Sequence, residues 1–347
     1  MERVCASKAM MVVFGGLAIG SDGFNASIIG NIELLMGVIY PKSLTTAVAT
    51  RLSNAFMVGM IIGMLSFGYI SDKLGRKTGT VLTTTILVLG ISLSAGANGL
   101  TEDGMFWMLI IAQGIAGAGA GGEYLVAGAG AAEATDEVLE IRKRRGFIFA
   151  MIGDLSASLG FAFGSLVPLT LLLCFHQRVQ HYEAVWWASL AIGAIASLSI
   201  CWFRYRMVVS SAYQKSSMKK QRIPYYLVIK KYWRPLLGVC GSWFISLWVT
   251  AAIAPVTTTS LTLSAIFIHY RRSGQSILFI VFYGIFLTLG EVGPGSTIVL
   301  TASESFPTAI RGHAVGLAAA WSKAGAAIGT QVFKPIMASW GYDELWR

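Results

Sequence analysis

Five charged side chains lie inside long apolar segments of this sequence. Four are acids and one is a lysine, at Asp22, Glu123, Asp154, Glu291 and Lys323. At the centre of a lipid bilayer such a charge costs at least ~2.5–3.5 kcal/mol, so it needs a partner or a purpose. Acids in an apolar pocket can take up and release a proton, and a lysine beside them can bind an anion. The structural alternative is that these charges neutralise one another or stabilise glycine-rich breaks in helices.

The segments that carry these charges have the composition of membrane-spanning helices. The chain has 347 residues, of which 55% are hydrophobic and 13% charged, whereas soluble domains carry about a quarter charged residues. A spanning helix needs about 20 apolar residues, and the sequence therefore predicts an all-α polytopic transmembrane bundle. The predicted spans are 9–31 (interrupted at 21–25), 52–69, 79–97, 105–132, 146–174, 186–203, one or two within 236–268, 277–301 and 314–339.

The positive charge of the chain is concentrated in one segment. The net charge is +10, and residues 204–234 contain a run of lysines and arginines without an acid. Because cytoplasmic loops of membrane proteins are enriched in Lys and Arg, we interpret this run as a cytoplasmic linker near anionic lipid, and not as a nucleic-acid site. It divides the chain into an N-terminal six-helix bundle (1–203), the linker (204–234) and an incomplete C-terminal bundle (235–347). The N-terminus is then cytoplasmic.

The tight turn after the second span carries a recognisable pattern. It reads Gly-x-x-x-Asp-Lys-x-Gly-Arg-Lys from Gly68 through Asp72 and Gly75 to Arg76 and Lys77. The two glycines allow close helix packing, and the basic pair marks the turn as cytoplasmic. This pattern resembles the signature loop of the major facilitator superfamily of transporters. The resemblance implies twelve helices in two pseudo-symmetric halves, of which nine or ten are present here.

The fourth span is dense in small residues. Gly117, Gly119 and Gly122 match Gly-x-Gly-x-x-Gly, but the pattern lies inside an apolar helix with no strand before it, so a dinucleotide site is excluded. Small residues at this density let helices touch backbone to backbone. The four cysteines have no paired spacing and predict neither a disulfide framework nor a metal site. No cofactor is expected.

Two further segments resemble the phosphate:proton symporter branch of this superfamily. Glu123 and Tyr124 in the fourth span, and Lys323 in the span counted as the eleventh, match residues that line the substrate cavity in that branch. Trp243 matches its tryptophan of the seventh span, but Leu247 stands where an acid is expected. An asparagine of the tenth span is also absent. These departures favour a larger phosphate ester over inorganic phosphate.

The resemblance is closest to fungal glycerophosphoinositol and glycerophosphocholine permeases, over spans 1–7 and 10–11. Segments that match include Tyr283-Gly284, 291–295, 308–312 and 223–235. It implies proton symport of an organic phosphate anion, with Glu123 as the leading proton carrier, Asp22 as the second, and Asp154 and Glu291 as further candidates. Lys323 would bind the phosphate.

The resemblance also implies a cytoplasmic gate. Arg76 is expected to pair with Glu133, joined by Asp72 and Arg145. An acid followed by Arg-Gly recurs in the second half at Glu304 and Arg311, as is expected of transporters built from repeats.

Other functions remain open at the level of sequence. They are an inorganic phosphate or sugar/polyol porter of the same superfamily, and a truncated relative that does not transport or acts as a nutrient sensor. An enzyme is not indicated, because no nucleophile–base pair occurs in a suitable context. The expected partners are a small anion, protons and membrane lipid. The protein is expected to be a plasma-membrane monomer.

Overall fold

α-Helices make up nearly all of the chain that the computed structural model describes. The described stretches are 2–136, 155–176, 178–205, 230–245, 296–307 and 310–339, with single positions at 146, 147, 153 and 226. No strand occurs within them. The helices are α1 Glu2–Ile39, α2 Thr46–Leu74, α3 Arg76–Ala95, α4 Glu102–Asp136, α5 Ser156–Cys174, α6 Tyr182–Tyr205, α7 230–245, α8 Ser296–Ser305 and α9 Arg311–Ser339, and a 3-10 turn covers Val179–His181.

Five of these helices are long and apolar enough to cross a membrane: α2 to α6, the last together with the 3-10 turn before it. This agrees with the predicted spans 2 to 6. The α5 helix turns large apolar side chains outward, among them Leu159, Phe163 and Leu166, each about half exposed. A helix with so much exposed apolar surface is suited to contact with lipid. Within the described residues the protein is thus an all-α membrane bundle, as predicted.

The α1 helix is continuous, and the predicted interruption at 21–25 is wrong. The Asn25 amide donates to the Ser21 carbonyl one turn earlier at 2.8 Å, which keeps this polar side chain bonded inside the helix. A Cβ atom on Gly23 would lie 2.5 Å from the Ala157 carbonyl oxygen of α5. The small polar residues therefore form a close helix contact, where sequence reasoning expected a break.

The α4 helix packs backbone to backbone on two neighbours, as its glycines predicted. A Cβ atom on Gly117 would lie 2.1 Å from the Phe56 carbonyl oxygen of α2, and one on Gly119 would lie 2.3 Å from the Leu87 nitrogen of α3. Each contact requires the absence of a side chain. The Gly-x-Gly-x-x-Gly pattern is therefore a packing surface, and α4 also contacts α1, α8 and α9.

The turn between α2 and α3 consists of a single residue, Gly75, whose φ of 112° lies in the region that favours glycine. Gly68 has a different role, because a Cβ atom there would lie 3.0 Å from the Gly312 carbonyl oxygen of α9. The rings of Tyr69 and His313 meet edge to face nearby, with centroids 5.4 Å apart. The signature turn therefore stands where the N-terminal half contacts α9.

Three predicted boundaries shift. Glu133 lies within α4 and not in the loop after it, and Arg204 lies within α6 and not at the start of the linker. Residues 230–234, assigned to the linker, are helical and belong to α7. The rest of the linker, apart from positions 205 and 226, lies outside the described residues.

Candidate functional site

Four charged side chains from four helices converge inside the bundle. They are Asp22 of α1, Glu123 of α4, Arg204 of α6 and Lys323 of α9, and we call them the charge cluster. Asp22 interacts electrostatically with each of the other three. Asp22, Glu123 and Arg204 are buried, and Lys323 is half-buried. The sequence predicted three of these residues as functional, and the fold brings them together.

One carboxyl oxygen of Glu123 has both an ion-pair partner and a hydrogen-bond donor. Its Oε1 atom pairs with the Arg204 guanidinium and lies 3.2 Å from the Thr84 hydroxyl of α3. Arg204 Nη1 also donates to that hydroxyl at 3.0 Å, and the hydroxyl lies 2.9 Å from the Thr80 carbonyl oxygen, to which it can donate. With 1% and 2% of their side chains exposed, Glu123 and Arg204 form an ion pair shielded from water. Each charge thus compensates the other where water cannot.

Asp22 differs from Glu123 in its partners. Neither of its carboxyl oxygens receives a hydrogen bond from a donor in the described residues, and Glu123 Oε2 is in the same position. The two carboxyl groups are within hydrogen-bonding reach of each other. Two carboxyls can bond directly only when one carries a proton, since ionised carboxylates are acceptors alone. The geometry therefore suits a site that gains and loses one proton.

Lys323 and Trp243 offer polar groups that remain available. Within the described part of the chain, no hydrogen bond or ion pair engages the Lys323 ammonium, although it lies in the field of Asp22. The Trp243 side chain of α7 is 3% exposed, and its indole nitrogen has no acceptor among the same residues. Tyr124 is half-buried and packs against the same core as Trp243. Together these groups could bind an anion that carries further polar groups.

Arg204 and Thr84 were missed at the level of sequence. Arg204 stands where the apolar run of α6 meets the basic segment, so it was counted with the linker. One signal pointed to it: the apolar segments hold four acids and a single lysine, an imbalance that calls for another buried cation. Thr84 carries no signal, because hydroxyls in helices usually bond to their own backbone.

Three further predicted site residues are described, and they lie outside the charge cluster. Glu304 is exposed in α8, Arg311 is buried at the start of α9, and Lys77 is exposed at the start of α3. Arg145, Asp154 and Glu291 lie outside the described residues. The same holds for the side chains of Asp72, Arg76 and Glu133, whose backbones alone are placed. The predicted pairing of the gate therefore stays a prediction.

Helices that carry charges towards a shared interior, within a bundle of apolar spans, are typical of membrane transporters. The sequence profile described as "Sugar (and other) transporter" matches residues 8–222 and 233–344. The chain belongs to this family of the major facilitator superfamily. It is an integral membrane protein of a transporter family, and not an enzyme.

Two curated relatives are permeases for glycerophosphoinositol. Glycerophosphoinositol permease 1 of Candida albicans is 33% identical, over 96% of this chain and 74% of that protein. Glycerophosphoinositol transporter 1 of Saccharomyces cerevisiae is 31% identical, over 94% of this chain and 73% of that protein. The chain thus spans about three quarters of each relative. The predicted resemblance to this group is confirmed.

A solved structure supports the fold. The proton:xylose symporter XylE bound to 6-bromo-6-deoxy-D-glucose superposes with a TM-score of 0.67 over 97% of this chain and 90% of that chain. At 15% identity the likeness concerns the fold alone.

Proposed function

We propose that this chain transports a glycerophosphodiester anion together with protons. The observation that carries the proposal is Lys323, a half-buried ammonium without a partner in the described residues, placed opposite the buried Asp22 carboxyl. A permanently paired lysine would be structural, whereas an available one beside a protonatable acid suits an anion that moves with a proton. The relatives named for glycerophosphoinositol give the substrate class.

The binding site has a distinct task for each group. Lys323 binds the phosphodiester oxygens through charge-assisted hydrogen bonds. Trp243 offers an indole N–H to a hydroxyl of the substrate, and Tyr124 shapes the cavity beside it. The carboxyl pair of Asp22 and Glu123 holds the transported proton. An anion meeting two ionised carboxylates would be repelled, so substrate and proton bind together.

The gate lies where α2 meets α9. The contact of Gly68 with Gly312 supports this location, because a change in the distance between the two halves must separate these backbones. Arg76 and Glu133 would pair at the same end when it is shut. Exchanging both charges, as Arg76→Glu with Glu133→Arg, should restore part of the transport that either single exchange removes. A double variant no better than the single ones would exclude direct pairing.

Uptake in cells that lack their own transporters tests the substrate. We expect saturable uptake of labelled glycerophosphoinositol or glycerophosphocholine, faster at acidic external pH, abolished by a protonophore, and exceeding that of inorganic phosphate. Absence of saturable uptake of any glycerophosphodiester by a chain that reaches the membrane would refute the proposal.

Lys323→Gln tests the binding site. Removing a charge-assisted hydrogen bond costs about 1.5–3 kcal/mol, or about tenfold to a hundredfold in affinity. Lys42→Gln is the matched control, because Lys42 is exposed in the connection between α1 and α2. If both variants transport equally well, Lys323 does not bind the substrate.

A further inference from the structure

The charge cluster contains equal numbers of positive and negative groups. Asp22 and Glu123 balance Arg204 and Lys323. Net charge buried away from water is costly, so the cluster should keep this balance through a transport cycle. If an anion takes Lys323 as its counter-ion, one carboxylate loses its compensation and must bind a proton.

The contacts decide which carboxylate that is. Glu123 keeps the Arg204 guanidinium and the Thr84 hydroxyl on its Oε1 atom, whatever happens at Lys323. Asp22 has no donor in the described residues, and the two positive groups that face it are Arg204, which Glu123 already engages, and Lys323. The groups that face Asp22 are Glu123 from α4, Arg204 from α6 and Lys323 from α9. Occupation of Lys323 by an anion thus removes the one counter-ion of Asp22 that Glu123 does not already engage, and it leaves the Glu123–Arg204 pair unchanged.

We propose that Arg204 determines the substrate charge: it keeps Glu123 ionised, so the site accepts a singly charged phosphodiester with one proton and rejects doubly charged phosphomonoesters. This rests on the proposed function. The Asp22 carboxylate takes a proton from the medium as the anion binds and returns it on the other side. A doubly charged anion would need a second proton on Glu123, which Arg204 opposes.

Phosphate chemistry makes the distinction measurable. A phosphomonoester loses its second proton at about pH 6, whereas a phosphodiester has no second proton to lose. Glycerol 3-phosphate should therefore compete with glycerophosphoinositol below about pH 6 and compete poorly at neutral pH. One proton with one monoanion carries no net charge, so transport should not depend on the membrane potential.

The test uses the full chain in proteoliposomes, with competition by glycerol 3-phosphate and the proton-to-substrate ratio as readouts. Arg204→Gln frees Glu123 to take a proton, and competition at neutral pH should strengthen about tenfold, or about 1.4 kcal/mol. Arg204→Lys should retain discrimination. Arg178→Gln is the control, since Arg178 is exposed in the connection before α6.

The paired variant Glu123→Gln with Arg204→Gln distinguishes the role of the Asp22 carboxyl from that of Glu123. It also provides the test if the single variant Arg204→Gln fails to fold. It removes one charge of each sign and leaves Asp22, so it should keep one proton per phosphodiester and the rejection of glycerol 3-phosphate at neutral pH. Loss of proton coupling in this variant would show that Glu123 carries the proton and would overturn the proposal. Unchanged competition in a folded Arg204→Gln protein would also overturn it.

Infrared spectroscopy gives a readout that needs no transport. At neutral pH, Arg204→Gln should add the carbonyl stretch of one protonated carboxyl, which the paired variant should lack. If no phosphodiester is taken up by the original chain, the proposed function fails while this spectrum still decides the role of Arg204. If the stretch is absent in Arg204→Gln, Arg204 does not control the charge of Glu123, whatever the substrate.

Discussion

Helix α4 contacts its neighbours through the backbones of its glycines and, a few residues later, through the charged side chain of Glu123. Over residues 117–121 its glycines touch the backbones of α2 and α3 so closely that no side chain fits at Gly117, Gly119 or Gly121. Immediately afterwards, Glu123 meets Arg204 and Thr84 through charge and hydrogen bonds. The glycine contacts leave no room for a side chain, and they fix the position of Glu123. The polar contacts beyond them hold Glu123 to Arg204, and the change of partner that a transport cycle needs falls to the neighbouring Asp22 and Lys323.

The largest loss of stability is expected when a side chain is introduced among the glycine contacts of α4. Gly117→Ala places a methyl group 2.1 Å from the Phe56 carbonyl oxygen. Overpacking typically costs 1–3 kcal/mol, and a backbone obstacle should bring this variant to about 3 kcal/mol or prevent insertion. Gly114→Ala is the matched control in the same helix, with its nearest atom at 3.8 Å. The measurement is the thermal unfolding midpoint in detergent, and equal midpoints for the two variants would contradict the close contact.

A slightly smaller loss of stability is expected when the ion pair of Glu123 with Arg204 is broken. Glu123→Gln leaves Arg204 buried without its counter-ion, and breaking a buried pair in this way costs about 3–5 kcal/mol at most sites, less where a neighbour can substitute. Here Asp22 also interacts electrostatically with Arg204 and can compensate part of its charge, so we expect about 2 kcal/mol. The paired variant with Arg204→Gln should lose less than the sum of the two single variants. Additive losses, measured by unfolding in detergent, would mean that the pair does not stabilise the fold.

Asn25 and Asp22, one turn apart in α1, allow a residue that stabilises the fold to be compared with one that is expected to act in transport. Asn25 donates to the Ser21 carbonyl at 2.8 Å and to the Ser197 hydroxyl of α6 at 3.4 Å. Asn25→Ala should therefore destabilise the fold by about 1 kcal/mol. Asp22→Asn should stay within about 0.5 kcal/mol of the original chain, because Asp22 receives no hydrogen bond from the described residues. Its effect should appear in transport, as substrate exchange without proton-driven accumulation, and a reversed order of stabilities would contradict this division.

A small effect on stability is also expected at Gly68, in the proposed gate. Gly68→Ala brings a methyl group to 3.0 Å from the Gly312 carbonyl oxygen, a contact that a shift of a few tenths of an ångström relieves. Unfolding should change by less than about 1 kcal/mol, whereas uptake should slow because the two halves close less tightly. Gly30→Ala is the control, since no atom lies within 4 Å of a Cβ there. Equal uptake by both variants would remove Gly68 from the gate.

Much of this site could be predicted from the sequence because charge in an apolar run is rare. That rule selected Asp22, Glu123 and Lys323, and the fold brings all three into one cluster. The same rule failed for Arg204, since a charge at the end of an apolar run looks like part of the adjoining loop. It also suggested a break in α1, because the sequence does not show that Asn25 bonds to its own helix.

The sequence by itself determined the membrane helices, the tight turn at Gly75 and the glycine surface of α4. These features depend on local composition, because lipid excludes polar backbone and charge from any span. Only the tertiary structure decided that Arg204 meets Glu123 and that Asp22 is left facing Lys323. These residues are far apart in the chain, and their pairing depends on which helices pack together and how each is rotated. A buried charge acquires its role from the groups it faces, and the folded bundle alone sets those groups.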